Sequence, residues 1–178
     1  VKCGIEILNN IIEDIESGIK IGAVDKSENI DDVLLRIFNR FHKCVRELRR
    51  RYNDRDTIDV EDEYDVQDVL RILLSLYFDD IRPEEYTPSY AGSSAKVDFL
   101  LKKEKVVIEV KKTRPSLKAK ELGNQLIEDI ARYKSHPDCE SLICFVYDPD
   151  GYISNPKGIE NDLRSSEGLI TNVIIRPE

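Results

Sequence analysis

Residues 96–112 read Lys-Val-Asp-Phe-Leu-Leu-Lys-Lys-Glu-Lys-Val-Val-Ile-Glu-Val-Lys-Lys, and this stretch decides the fold. Two short runs rich in valine, isoleucine and leucine flank the charged segment 102–105, a pattern typical of a β-hairpin with a polar turn. Asp98 lies on the first predicted strand, and Glu109 and Lys111 lie on the second. Because strand side chains alternate between faces, Glu109 and Lys111 point to the same side, and Asp98 comes opposite Glu109. The hairpin therefore predicts a site made of two acids and a lysine.

These three residues, called the trio below, suit the hydrolysis of a phosphodiester bond. Proteins hold Mg²⁺ through one or two carboxylates together with water and substrate phosphate, so Asp98 and Glu109 can share one such cation. Lys111 can position or activate the attacking water and neutralise negative charge on the phosphorane. The residue types therefore predict metal-dependent phosphoryl chemistry at the hairpin.

The trio and its surroundings resemble a known family. An acid followed by Glu109-Val110-Lys111 is similar to the signature of the PD-(D/E)XK nuclease superfamily, although Val97 stands where the superfamily name has proline. The neighbouring segments look like the DpnII/MboI-type restriction endonuclease domain over residues 64–164. Those segments are Tyr86-Thr-Pro-Ser-Tyr-Ala-Gly, Val97-Asp-Phe-Leu-Leu, Glu109-Val-Lys-Lys-Thr and Tyr147-Asp-Pro-Asp-Gly.

The resemblance implies a fold, a cofactor and further site residues. The expected fold is an α/β restriction-endonuclease-like core, a central mixed sheet flanked by helices, preceded by an N-terminal helical hairpin. The expected cofactor is Mg²⁺ or Mn²⁺, held by Asp98 and Glu109 with help from the Val110 carbonyl. In such families the first helix of the core adds an acid or amide to the metal site, and a glutamine on the later helix leans towards it. Gln67 and Gln125 occupy those places in this chain.

Helical geometry adds a competitor to Gln67. At 100° per residue, Glu63 falls inside the apolar face of a helix predicted over residues 63–80, Gln67 falls on its flank, and Asp68 falls on the solvent side. Glu63 brings a full negative charge, whereas Gln67 brings a neutral amide oxygen. The sequence leaves both as candidates for the remaining metal ligand.

Charge is distributed unevenly along the chain. The net charge is −8, which by itself argues against a nucleic-acid partner, yet residues 102–120 carry eight basic residues against two acids. Such segregation is compatible with one phosphate-facing surface on an acidic protein, and a solvated face is the alternative. The predicted nucleic-acid contacts are Lys112, Arg114, Lys118, Lys120 and Gln125.

Composition excludes several other classes. The sequence has no apolar run near the roughly 20 residues that a membrane helix needs and no visible signal peptide, so we expect no membrane partner and a cytoplasmic location. The four cysteines are scattered without a Cys-x-x-Cys pair, so we expect neither a disulfide framework nor structural zinc.

The N-terminal third reads as two helices. Apolar residues recur every three or four positions over residues 5–19 and again from Ile30 to Leu48, after a cap at Ser27 or Asn29. The resulting hairpin can pack on the core, on a domain missing from this chain, or on a second copy. We expect a helical hairpin over residues 1–56 and a nuclease-like domain over 57–178. A homodimer and a regulatory domain ahead of Val1 both stay open.

The remaining elements follow in the order of the resembled core. After the helix over residues 63–80 we expect strands over 86–90 and on the two sides of the hairpin, then a helix over 117–133. A buried strand over 141–148, a short helix over 158–165 and a final strand over 169–175 complete the order. This arrangement predicts a divalent-metal-dependent nuclease acting on double-stranded DNA. The alternative is a nucleic-acid-binding or assembly module whose nuclease is idle or controlled by a missing sensor domain.

Overall fold

A five-stranded mixed sheet forms the centre of the protein in the computed structural model, which describes residues 29–86, 96–134, 136–165 and 167–177. The strands stand side by side in chain order, β1 (Ile81–Pro83), β2 (Phe99–Leu101), β3 (Val106–Lys112), β4 (Ser141–Tyr147) and β5 (Ile170–Arg176). The helices are α1 (Ile30–Arg49), α2 (Glu63–Leu74), α3 (Ala119–Tyr133) and α4 (Pro156–Asp162). This is the predicted α/β architecture, a mixed sheet flanked by helices.

The direction of the strands changes at β3. The first three strands form an antiparallel meander, whereas β3, β4 and β5 run parallel. Parallel neighbours need crossover connections, and α3 and α4 supply them. The turn of the hairpin falls over residues 102–105, where the sequence predicted it.

Two apolar clusters cover the two faces of the sheet. On one face, Phe38 of α1 stacks on Phe145 of β4 with ring centroids 4.6 Å apart, and Phe41 meets Tyr147 edge to face. On the other face, Leu122 and other residues of α3 pack against alternate strand residues. Because both faces of β4 are covered, its run of apolar residues is nearly continuous.

The helix predicted from Asn29 is confirmed, since the Asn29 side chain accepts a hydrogen bond from the Asp31 N–H at the start of α1. This helix packs on the sheet in one core with α2. The division of the chain after residue 56 stays a prediction. The first helix of the predicted hairpin, over residues 5–19, lies outside the described residues.

Two helices and one strand differ from the sequence prediction. The short helix predicted over 158–165 runs Pro156–Asp162 instead. The helix predicted over 63–80 ends at Leu74, and Phe78 turns back into the core four residues later. The edge strand Ile81–Pro83 was not predicted from the sequence, and it tolerates Pro83 because the position of its missing N–H faces the unpaired side. Tyr86 makes a single bridge with Lys96, and residues 87–90 lie outside the described part of the chain.

The outer edge of β5 is partly shielded. The Ile175 N–H donates to Glu160 Oε1 of α4 at 2.8 Å, and Thr171 and Ser165 exchange backbone hydrogen bonds in an isolated bridge. Within the described ranges, no helix is long and apolar enough to cross a membrane.

Candidate active site

Strand register brings the two acids of the trio together. Phe99 pairs with Ile108 across β2 and β3, so the next position places Asp98 opposite Glu109. The Val110 N–H donates to Asp98 Oδ2 at 2.7 Å, which ties the first acid to the second strand. This arrangement of Asp98 and Glu109 is the one that the hairpin predicted.

Lys111 lies on the same face as Glu109 and forms a buried ion pair with it. The distance from Lys111 Nζ to Glu109 Oε1 is 2.5 Å, and the two side chains are 10% and 7% exposed. Burial in a medium of low dielectric constant strengthens such a contact relative to a surface pair. Lys111 is therefore held in place by the neighbouring acid.

Two residues of α3 complete the surroundings of the trio, and sequence reasoning missed both as site residues. Asp129 Oδ2 lies 3.2 Å from Lys111 Nζ as an ion pair without hydrogen-bond geometry. The Tyr133 hydroxyl donates to Glu109 Oε2 at 2.5 Å. Both side chains are buried and contact residues of β3. The spacing of Gln125, Asp129 and Tyr133 by four residues was the available signal.

The helix α2 contributes Gln67 and Glu63. The Gln67 side-chain amide donates from Nε2 to Asp98 Oδ1 at 2.9 Å, and Glu63 lines the same cleft. Asp68 is exposed on the other side of the helix, as helical geometry predicted. The Asp62 side chain accepts from the Tyr64 and Asp65 N–H groups in a capping box, which fixes the start of this helix beside the site.

A polar cleft of about 450 Å³ opens next to the trio. Its lining includes Gln67 and Asp98 together with two of the predicted nucleic-acid contacts, Arg114 and Gln125. Lys118 and Lys120 are exposed on the loop and first turn that lead into α3, and the Lys118 ammonium lies 5.8 Å from the Tyr152 ring centroid.

The basic stretch over residues 102–120 does not form one surface. Lys102 pairs with Asp138, Lys103 with Asp79 and Lys105 with Glu140 around the hairpin turn. These lysines precede β3, whereas Lys112 ends it, about 20 Å away at 3.3 Å per residue. Of this stretch, Arg114 lines the cleft, and Lys112, Lys118 and Lys120 lie within six residues of it in the sequence.

Burial and mutual repulsion raise the pKa values of acids in the site. Burial, followed by the charge of Glu109, raises the pKa of Asp98 to about 8, although the Val110 N–H and Lys111 oppose the shift. Burial also raises the pKa of Glu109, with Lys111 opposing, and the pKa of Glu63 rises for the same first cause. Burial by itself lowers the pKa of Lys111, but the charges of Glu109 and Asp129 outweigh burial, so the pKa is raised. The ammonium form of Lys111 is thus strongly favoured.

The donor atoms of the site fit a hard cation. Within the described segments, no group of three or more His, Cys, Asp and Glu side chains has the arrangement of a metal centre. Mg²⁺, however, commonly takes only one or two protein carboxylates. Asp98 and Glu109 are oxygen donors whose pKa values are raised chiefly by burial, and a bound cation would favour their ionised forms. Each carboxylate oxygen already in a hydrogen bond keeps a further lone pair for a cation.

Gln67→Ala is expected to weaken metal-dependent cleavage more than Glu63→Ala, because Gln67 alone of the two hydrogen-bonds to Asp98. Asp68→Ala on the opposite face of α2 serves as the matched control and should change little. Metal titration by calorimetry gives a second measurement. Gln67→Glu should tighten Mg²⁺ binding if the side chain is a ligand, since it brings another carboxylate to the ion. Equal affinities for the wild type and Gln67→Glu would remove Gln67 from the ligand set.

A mixed sheet whose meander carries two facing acids and a lysine defines a restriction-endonuclease-like α/β protein. A family model described as REase_DpnII-MboI matches residues 32–178. The chain therefore belongs to the DpnII-MboI restriction endonuclease family, as its motifs indicated. No curated protein and no solved structure shows a significant match to the chain.

Proposed function

We propose that this protein is a divalent-metal-dependent endonuclease of the PD-(D/E)XK type that hydrolyses phosphodiester bonds in double-stranded DNA. The observation that carries the proposal is the convergence of Asp98, Glu109 and Lys111 on one face of the sheet, beside a polar cleft. Membership of a restriction endonuclease family supports DNA as the substrate.

The roles proposed for the residues follow from their contacts. Asp98 and Glu109 hold Mg²⁺ or Mn²⁺, and Gln67, Glu63 and the Val110 carbonyl are the candidates for the remaining protein ligands. When bound, such an ion polarises a phosphoryl oxygen and makes its bound water more acidic.

Lys111 is proposed to act as a cation. Two acids stabilise its ammonium form, so it orients water and offsets negative charge at the phosphorus rather than accepting a proton. Tyr133 and Asp129 are positioning residues, because they contact Glu109 and Lys111 from the buried side.

A cleavage assay tests the proposal against the binding or assembly module. Purified protein is incubated with supercoiled plasmid, single-stranded DNA and RNA in Mg²⁺ or Mn²⁺, with a chelator control. Conversion of the plasmid to nicked or linear forms, absent in the chelator, is the expected result. Binding of DNA without cleavage under any of these conditions would favour the module. Cleavage of RNA alone would refute the proposed substrate.

Charge reversal at the cleft side should reduce the salt dependence of DNA binding. Lys118→Glu and Lys120→Glu each remove a phosphate contact, so the slope of log affinity against log salt should flatten by about 0.9 per residue. Lys102→Glu and Lys105→Glu at the hairpin turn are the matched controls, because these lysines pair with Asp138 and Glu140 instead. An unchanged slope in the first two variants would move the DNA-contacting surface elsewhere.

A further inference from the structure

The hairpin register continues past the ends of β1 and β2 and carries a tyrosine to the site. The Val97 N–H donates to the Glu85 carbonyl at 2.9 Å, and Tyr86 then bridges Lys96. Residues directly opposed in an antiparallel pair have side chains on the same face, and residues two apart on a strand share a face. Tyr86 is therefore placed beside Lys96, which lines the cleft together with Asp98.

A second tyrosine approaches the same place from α2. Tyr64, in the first turn of that helix, lines the cleft that also holds Asp98 and Lys96. Tyr64 is 70% exposed and Tyr86 is 65% exposed, and the Lys96 ammonium lies 5.3 Å from the Tyr86 ring centroid. We call Tyr64 and Tyr86 the tyrosine pair.

The chemistry of the cleft explains what such a pair can bind. Among the described residues of the cleft lining, the acids Asp62, Glu63, Glu84 and Asp98 face two basic residues, Lys96 and Arg114, so phosphate charge alone gives a strand little attraction there. Aromatic rings give a contact that does not depend on phosphate charge, because the flat face of any nucleobase stacks on them. In an intact duplex those faces are covered by neighbouring bases. Only an unpaired nucleotide can offer them to the pair.

We propose that the tyrosine pair binds an unstacked nucleobase of the strand to be cut. The inference rests on the proposed function and refines its substrate, which becomes DNA that is locally unpaired near the scissile phosphate. A single strand or a duplex with a short unpaired segment then binds better than a fully paired duplex of the same sequence.

Fluorescence of 2-aminopurine tests this directly, because its emission falls when the base stacks. Lys111→Met protein is titrated with three DNAs carrying the probe, one single-stranded, one with a short unpaired segment and one fully paired. Quenching is expected with the first two. Tyr64→Ala and Tyr86→Ala should each weaken the binding of these two DNAs by roughly 5- to 150-fold, the equivalent of about 1–3 kcal/mol per stacked base. The affinity for fully paired DNA should change little.

Two controls complete the design. Tyr64→Phe should bind like the parent protein, since the ring is kept. Tyr52→Ala removes another exposed tyrosine, 83% exposed and 5.9 Å from the Arg55 guanidinium, in the segment between α1 and α2, and it should also leave binding unchanged. Equal binding of the three DNAs, or loss of binding to all three in the alanine variants, would overturn the proposal.

The two proposals fail separately. If the alanine variants lose unpaired DNA as expected but wild-type protein cleaves no nucleic acid, the endonuclease proposal is wrong and the tyrosine pair stands as a binding site. If the wild type cleaves DNA but Tyr64→Ala and Tyr86→Ala bind unpaired DNA normally, the proposed role of the tyrosine pair is wrong and the endonuclease proposal stands.

Discussion

Lys111→Met lowers the rate of DNA cleavage by a factor of about 10²–10³ or more, the size of effect seen when one pre-organised stabilising group is removed from an active site. Methionine keeps the length and apolar stem of the side chain but removes the ammonium that pairs with Glu109 and Asp129. Single-turnover cleavage at saturating DNA and Mg²⁺ measures the effect without a contribution from weaker binding.

This experiment needs two controls, a stability measurement and a matched variant. Loss of Lys111 leaves the buried Glu109 without its cation, whereas Asp129 keeps its ion pair with Arg132, and an unpaired buried acid costs stability unless it binds a proton. Thermal unfolding must therefore show that Lys111→Met is folded at the assay temperature. Lys103→Met, at an exposed lysine of the hairpin turn, should cleave at the wild-type rate. Wild-type rates in folded Lys111→Met would refute the role of Lys111.

Metal-free protein should lose stability as the pH rises from about 4 to about 8. The pKa of Asp98 is raised from 3.8 to about 8 in the folded state, so between these values the folded protein holds a proton that the unfolded chain has released. Proton binding by the folded state means that the free energy of unfolding falls with increasing pH, here by a few kcal/mol across the window. Asp98→Asn should lack the part of this slope that Asp98 contributes, keep the part from Glu109 and Glu63, whose pKa values are also raised, and be at least as stable as the wild type near pH 8.

Denaturant unfolding at several pH values measures the slope, with a chelator present to remove bound metal. Addition of Mg²⁺ should restore the stability lost at high pH, and its binding near pH 7 should release protons, because the ligating carboxylate must be ionised. A wild-type slope that matches the slope of Asp98→Asn would show that Asp98 is ionised in the folded protein and would contradict the prediction.

The sequence predicted the trio because its geometry is local. Alternation along β3 alone places Glu109 and Lys111 on one side, and a short turn brings Asp98 opposite, so no knowledge of distant packing is needed. Helical geometry likewise ordered Gln67 and Asp68 correctly around α2. The positions of these side chains follow from strand and helix periodicity and from one turn.

Residues that depend on tertiary packing were harder to predict. Asp129 and Tyr133 reach the site only because α3 packs on the sheet with the face that carries Leu122, Leu126, Asp129 and Tyr133. An acid at the edge of that face can turn either way, and a buried lysine on the sheet decides the outcome here. The strand β1 was not predicted because three residues at a sheet edge carry little apolar pattern.

The shielded β5 edge limits how this protein can meet a second copy of itself. An exposed edge strand invites another chain to add on and extend the sheet. At one end of this sheet, β1 is only three residues long and contains a proline, which cannot donate a hydrogen bond. At the other end, Glu160 and Ser165 already occupy the outward N–H groups of Ile175 and Thr171. We therefore expect any homodimer to join through helical or loop surfaces, with each sheet remaining five strands wide.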